Sequence, residues 1–283
     1  MMNKKKDAFW FLTRIFMYAF IVITIVISVF PVVWVAFSSF KTNAEILNGA
    51  YVMPSGWQTG LEAYRYLFDK YDFLKYFFNS LIVSVGATVI SLVIYSMAGY
   101  VLAKYDFPGR NLLFALFTIT LLVPATAKAQ PIFSLIVEMK LFDTLKGLGL
   151  VYISSGMAMS LFILRAAFLA VPKELDEAAR VDGAGFLRTF FTVNLPLAKS
   201  GLATAGILMF LNNWNEYFYA SMLTMSEDAR TMPVALQFFN QSFSYDYTKM
   251  FAALTLVILP GIILYLLMQK QVQQSIAASG LKG

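Results

Sequence analysis

The sequence predicts an all-α polytopic membrane protein with six transmembrane helices, and three observations predict it. Of its 283 residues, 59% are hydrophobic and 13% charged, which is too apolar for an ordinary soluble domain of this size. The apolar residues fall in long uncharged runs, unlike the short alternating segments of a transmembrane barrel. The basic residues gather in the connections that would share one side of the membrane. The chain also has no cysteine and no histidine, which excludes disulfides, thiol catalysis, Cys/His zinc sites and imidazole bases within it.

Taken in order, residues 1–10 hold Lys4, Lys5 and Lys6, an inside flag before the first span. Residues 15–37 follow without a charge, longer than the about 20 residues a hydrocarbon core needs. The run is too long for a signal-peptide core and no convincing small-x-small cleavage site follows it, so this is read as a retained span that Pro31 kinks or ends. Residues 38–76 mix acids and bases and read as an outside segment with a short helix near 61–68. The second span fits within 77–103, where Ser84, Gly86, Ala87, Ser91, Ser96, Ala98 and Gly99 offer close helix packing. Lys104 to Arg110 is a tight basic turn. The third span is expected at 111–127, lengthened by a snorkelling Lys128, and an interfacial or re-entrant helix at 130–146. The fourth span is 147–164, the fifth 201–226 with Glu216 its only charge, and the sixth 251–269 with Pro260-Gly261 inside it. Between the last two, residues 227–249 read as an outside loop. The domain reading is 1–76 for the N-terminal tail, first span and outside loop, 77–270 for a five-helix core, and 271–283 for a cytoplasmic tail.

Six spans place both termini on one side. The segments then expected inside hold more than half of the 22 lysines and arginines and carry a net positive charge, while the longer outside segments balance to neutral. The net charge of +6 therefore speaks for topology and not for nucleic acid.

Residues 172–196 form the long polar segment between two apolar blocks. Pro172 suits a first helical turn. A helix is predicted over 173–182, with Glu174, Asp176 and Glu177 favoured by its N-terminal dipole and Leu175, Ala178 and Ala179 on one small-to-apolar face. Gly183 is its natural stop. A second helix is predicted over 186–194, limited by Pro196. The product is a helical hairpin with small residues at its tip, a shape suited to docking in a partner's groove.

These residues resemble the coupling loop of ABC-importer permeases. Glu177-Ala178-Ala179, Gly183 and Val193-Asn194-Leu195-Pro196 match that family's E-A-A, three residues, G, nine residues, I-x-L-P pattern, with Val193 in place of Ile. The stretch AGYVLAKYDFPGR is similar to a segment of the carbohydrate branch. The closing SGLKG resembles the tail of the second permease subunit of maltose-type importers, which reaches between ATPase subunits; a frayed tail is the other reading. The resemblance implies a type I ABC importer transmembrane domain with a cytoplasmic coupling helix, in a bacterial inner membrane. It implies a heterodimer with a sister permease, two ATPase subunits, an extracytoplasmic solute-binding protein and a sugar substrate, among membrane lipid. It also implies that Glu177, Ala178, Ala179, Arg180, Asp182, Gly183, Leu195 and Pro196 serve ATPase coupling. No G-x-x-x-x-G-K-[ST] occurs, so no cofactor is expected in this chain, ATP and Mg belong to the partner ATPase, and the chain is not itself an enzyme.

A second candidate is Trp214-Asn215-Glu216. A straight fifth span from Gly201 would carry Glu216 roughly 22 Å along its axis. A carboxylate at that depth is expensive and faces protein or a water-filled path. The cluster reads as a sugar contact, a gate, or an interfacial belt. Asn79, opening the second span, reads as a helix cap or a substrate contact, and Pro260-Gly261 as a hinge or a packing kink. The rival class is a gradient-driven secondary transporter, for which Glu216 is the available titratable group; a structural scaffold is the third reading.

Overall fold

A computed structural model describes the chain apart from Met1, Ala50 and residues 281–283, and apart from the side chains of residues 1–9, Leu12, Met268, Lys270 and 271–280. The described residues form helices and no strands. Three helices are each long and apolar enough to cross a membrane, and three further pairs pass the same test across a sharp bend, giving up to six spans.

The chain divides into two compact units that do not follow chain order. In the first, the residues through Phe73 are joined by Leu236–Leu259. Helix α1 (Met2–Ser38) continues through Pro31, so the proline neither ends nor breaks it. Most of its apolar stretch from Thr13 is exposed, and only its end packs within the unit, where Trp34 meets Phe251 edge-on at 5.2 Å and Ser38 is buried. After it, α2 (Asn43–Asn48) is set by a capping box: Thr42 Oγ1 accepts from the Glu45 N–H, and Glu45 accepts from the Thr42 N–H at 2.7 Å. The Ser55 hydroxyl, then the N–H groups of Thr42 and Ser55, hold the Glu45 carboxyl down to about 2. Helix α3 (Gln58–Lys70) spans the expected short helix and extends it at both ends. Its Gly60 sits so near Phe40 that an added Cβ would lie 2.8 Å from the Phe40 Cα. Tyr71, Phe73, Phe239 and Phe243 then close the unit's core, with Tyr71 edge-on to Phe239 at 4.9 Å and Phe73 stacked on it at 5.0 Å.

The second unit holds Leu74–Ala235 and the chain from Pro260 on. Helix α4 (Phe73–Lys104) carries the second span. Most of its small residues turn inward as expected, and Gly99 lets the backbone of Leu164 and Arg165 approach within 3.4 Å of where a Cβ would be. Gly86 is the exception, with open space there.

The third span is shorter than expected. Helix α5 (Arg110–Ile119) tightens into a 3-10 turn (Thr120–Leu122), and the chain bends through 102° into α6 (Ala125–Glu138). Pro124 is the reason: it disfavours helical backbone at Val123, which is extended (φ −86°, ψ 112°). Residues 125–127 and Lys128 therefore belong to α6, which starts earlier and ends earlier than the helix expected at 130–146.

The fourth span is α7 (Leu145–Ser155) and α8 (Met157–Leu169), bent by 48° at Gly156. Beyond the hairpin, α12 (Lys199–Trp214) crosses α8 where Gly201 faces Ala167. The expected fifth span of 201–226 is not one helix, for α12 stops at Trp214 and α13 (Phe218–Leu223) follows a break. The segment 227–249 is mostly helical, with α14 (Met232–Ser242) and the start of α15 (Tyr247–Gly280). Helix α15 runs on through Pro260-Gly261.

Two buried clusters fill this unit. One gathers Tyr95, Tyr100, Leu161, Leu164, Phe168, Phe190 and Met209; the other gathers Val83, Ile136, Leu148, Tyr152, Tyr219 and Leu223. Asp143 joins the second to the chain after α13 by accepting from the N–H groups of Met225 (2.7 Å) and Ser226 (2.9 Å). Burial pushes the Asp143 carboxyl up, but those two donors outweigh it and hold it below its ordinary value.

Candidate functional site

The polar segment folds as the spacing predicts, into a hairpin. Helix α9 (Lys173–Val181) begins after an extended Pro172, with Glu174 and Asp176 in its first turn and Arg180 in its last. Gly183 stops it at φ +77°, the left-handed conformation a glycine adopts without a Cβ clash. The Gly183 N–H donates to Arg180 O (3.0 Å) and the Ala184 N–H to Ala179 O (2.9 Å), which is the bonding of a Schellman stop. Glu177, Ala178, Arg180, Val181, Asp182 and Gly183 are exposed at the tip, Val181 by 88%, while Ala179 is half-buried. The Arg180 guanidinium lies 5.5 Å above the Tyr105 ring.

The return limb is α10 (Phe186–Thr189), a π turn (Phe190–Asn194) and α11 (Leu195–Leu197). Pro196 falls at the start of α11, where its missing N–H is not required, so the helix passes it and ends at Ala198. There the axis turns by 80° into α12. Phe190, 1% exposed, sits against Tyr100 (5.2 Å) and Phe168 (6.0 Å). Leu195 is half-buried and Pro196 exposed.

The inward stripe of α9 differs from the expected one. Leu175 and Ala178 are exposed, whereas Asp176 is buried and paired with Lys104 at 2.8 Å. Asn194 donates its amide to the other Asp176 oxygen. Sequence reasoning missed all three as a group. One signal was present: Asp176 shares a helical stripe with Ala179 and Gly183. Its partner, the lysine ending an otherwise uncharged span, lies too far along the chain for periodicity to pair them.

The second candidate is not brought together as one site. Trp214 is buried against Phe77 (5.8 Å) and Phe210 (5.9 Å), near Gly261, while the exposed Asn215 donates to Leu211 O of its own helix. Glu216 stands in the break before α13. Its two oxygens accept from the N–H groups of Tyr219 (2.7 Å) and Ala220 (3.0 Å), and its carbonyl accepts from Tyr152 Oη. The carboxylate serves orphan donors at a helix start. Glu216→Ala is expected to lower stability by about 1 kcal/mol, as losing a helix cap does. A thermal melt in detergent checks this; a native melting temperature with weakened sugar affinity would assign Glu216 to substrate instead.

Asn79 lies inside α4 and not at its start. Its amide donates to the carbonyls of Asp228 and Arg230, both at 2.9 Å, and neighbouring Ser80 accepts from the Met232 N–H. These bonds hold the chain before α14 against α4, with Lys75–Asp228 and Tyr76–Glu227 beside them. Among the described residues no cluster of acids could hold a metal ion.

Residues 95–278 match the family of binding-protein-dependent transport system inner membrane components. The diacetylchitobiose uptake system permease protein NgcG of Streptomyces coelicolor is 32% identical, covering 92% of this chain and 86% of its own length. The arabinooligosaccharides transport system permease protein AraQ of Bacillus subtilis is 32% identical, covering 95% and 96%. Among solved structures, a chain of a bacterial ABC transporter involved in the import of the acidic polysaccharide alginate superposes with a TM-score of 0.77 at 25% identity, covering 92% of this chain and 96% of that one. These likenesses are to ABC-transport components, and they give the gradient-driven alternative no support. The bent spans, the hairpin between α8 and α12 and these likenesses converge: the chain belongs to the binding-protein-dependent transport system inner membrane components, and is a membrane permease subunit of an ABC importer.

Proposed function

We propose that this subunit imports a sugar by alternating access, paired with a sister permease and driven by two separate ATPase subunits that carry ATP and Mg. An extracytoplasmic binding protein delivers the substrate, and both termini lie in the cytoplasm. The carbohydrate class rests on the relatives, whose names specify diacetylchitobiose and arabinooligosaccharides. The apolar surface of α1 is left to lipid and to the sister subunit.

The hairpin tip carries this reading. A Schellman stop fixes its shape, and small residues beside exposed Glu177, Arg180 and Asp182 let a partner's groove close over the backbone. The hairpin's two limbs lead directly into α8 and α12, so movement of the tip reaches the membrane on both sides. Rim charges of this kind set which partner docks more than how tightly.

The test is Glu177→Lys in the complete complex reconstituted in vesicles. A reversed charge facing a fitted groove opposes docking by several kcal/mol. ATP hydrolysis stimulated by binding protein and sugar should therefore fall by about tenfold or more, since tenfold needs only about 1.4 kcal/mol. Unchanged stimulation and uptake would remove the tip from the coupling role.

A further inference from the structure

The hairpin has two covalent attachments, and each is a place where motion can be lost. Its first limb hangs from α8 through Ala170–Pro172, and its second turns by 80° at Ala198 before α12 begins. A lever hinged at both roots moves the spans only if something else stiffens it. A third attachment is polar and buried. Lys104, the last residue of α4, places its ammonium 2.8 Å from Asp176 Oδ2 and donates to Val171 O at 2.6 Å, where α8 gives way to the hairpin. Asp176 Oδ1 accepts from Asn194 Nδ2, which also reaches Thr189 O at 3.4 Å. The side chains of Lys104 and Asp176 are 3% and 8% exposed, and Asn194 is 0% exposed. One cluster thus joins four pieces of chain: the end of α4, the end of α8, the outgoing limb and the return limb.

Adhesion alone does not require it. Phe190, Phe186, Tyr100, Tyr105 and Phe168 already form an apolar seat beneath the hairpin. Apolar contact is non-directional and tolerates sliding. A desolvated ion pair offers little net stability over an apolar pair of like volume, but the hydrogen bonds from Lys104 to Val171 O and from Asn194 to Asp176 are directional. The π turn supports the same view. Its wider winding brings Asn194 to the hairpin's inner side, and such turns recur at functional places in helices.

We propose that Lys104, Asp176 and Asn194 are positioning residues that bind both limbs of the coupling hairpin to the cytoplasmic end of α4, so that the hairpin and the second span move as one body. This rests on the coupling reading of the hairpin. The cluster delivers displacement of the tip to α4 as well as to α8 and α12, and sets how much substrate crosses for each ATP consumed.

Three variants of the reconstituted complex test it. Lys104→Met with Asp176→Leu replaces the pair by apolar groups; Asp176→Asn keeps volume and removes the charge; Lys104→Asp with Asp176→Lys exchanges the charges. The readouts are the amount of ATPase retained on purification, the stimulated ATP hydrolysis, and sugar taken up per ATP hydrolysed. In the apolar variant the ATPase should be retained while uptake per ATP falls by about fivefold or more, the span of an ordinary coupling energy. Asp176→Asn should lower the ratio in the same direction, and the exchanged pair should recover part of it. A native ratio in both the apolar variant and Asp176→Asn overturns the proposal. If Asp176→Asn, which strands the Lys104 charge, fails to assemble, the apolar variant decides alone. Glu177→Lys run beside them separates the two ideas: if it too leaves hydrolysis unchanged, the coupling reading itself has failed; if it abolishes stimulation while the cluster variants keep the native ratio, only the positioning role has.

Discussion

A Gly183→Pro chain will insert in the membrane and assemble, yet lose nearly all ATP-driven uptake. Gly183 sits at φ +77°, and proline holds φ near about −65°, so the backbone must swing through about 140°. Proline also removes the N–H that donates to Arg180 O, and it disfavours the helical conformation that Asp182 holds at φ −74°, ψ 6°. The Schellman stop cannot survive these three faults, and together they exceed about 3 kcal/mol, the usual penalty of a misplaced proline. Because nothing lies within 4 Å of a Cβ added there, the damage stays at the tip and leaves the buried seat of Phe190 in place. Gly183→Ala keeps the N–H and bears only the left-handed strain of about 1–2 kcal/mol, so it should fall between the two. Uptake of labelled sugar and stimulated ATP hydrolysis should drop by about 100-fold in the proline chain, the range of strong intersite coupling. Native uptake by that chain would show that the hairpin's shape is not used.

The largest effect on the fold itself is expected from Gly201→Leu. An added Cβ at Gly201 would stand 2.3 Å from the Ala167 Cβ, far inside contact distance, at the crossing of α8 and α12. Neither partner is the free end of a long side chain, so the two helices must separate. Overpacking of this kind costs about 1–3 kcal/mol in a core that can adjust, and a whole leucine at a helix crossing lies at or beyond the top of that range. Small residues at such crossings are what let membrane helices pack closely. The yield of folded protein in mild detergent and its melting temperature should both fall sharply. Gly86→Leu serves as the contrast, since nothing stands within 4 Å of its Cβ position, and it should melt close to the native chain. Equal melting of the two variants would mean that the α8–α12 crossing is not tight.

The spans were legible because hydropathy is a property of composition, and uncharged runs such as that of α1 cannot be hidden. Their breaks were less so. The chain is apolar on both sides of Pro124 and of Gly156, so a sum over a window passes through those bends. Pro124 could have been read as a stop, because the residue before a proline avoids helix; Pro31, Pro196 and Pro260 show why that signal alone misleads, each lying within a helix here. The hairpin's limbs and its glycine stop were legible from local rules acting over a few residues. The end of α12 was not, because Glu216 reads as an intramembrane charge until its bonds to the backbone of α13 are seen. Lys104 and Asp176 escaped for the opposite reason: each looked ordinary locally, a basic residue closing a span and an acid opening a helix.

That pair also constrains how the sequence can drift. A buried ion pair that loses one member leaves the other charge stranded, at about 3–5 kcal/mol. Any lineage that replaces Lys104 or Asp176 singly must therefore pass through a weakened ancestor, and Asn194, with no exposed surface, is confined with them. Positions 104 and 176 should accordingly be inherited as a unit, kept together or exchanged together, while the exposed positions of the tip are left to follow whatever partner the subunit has.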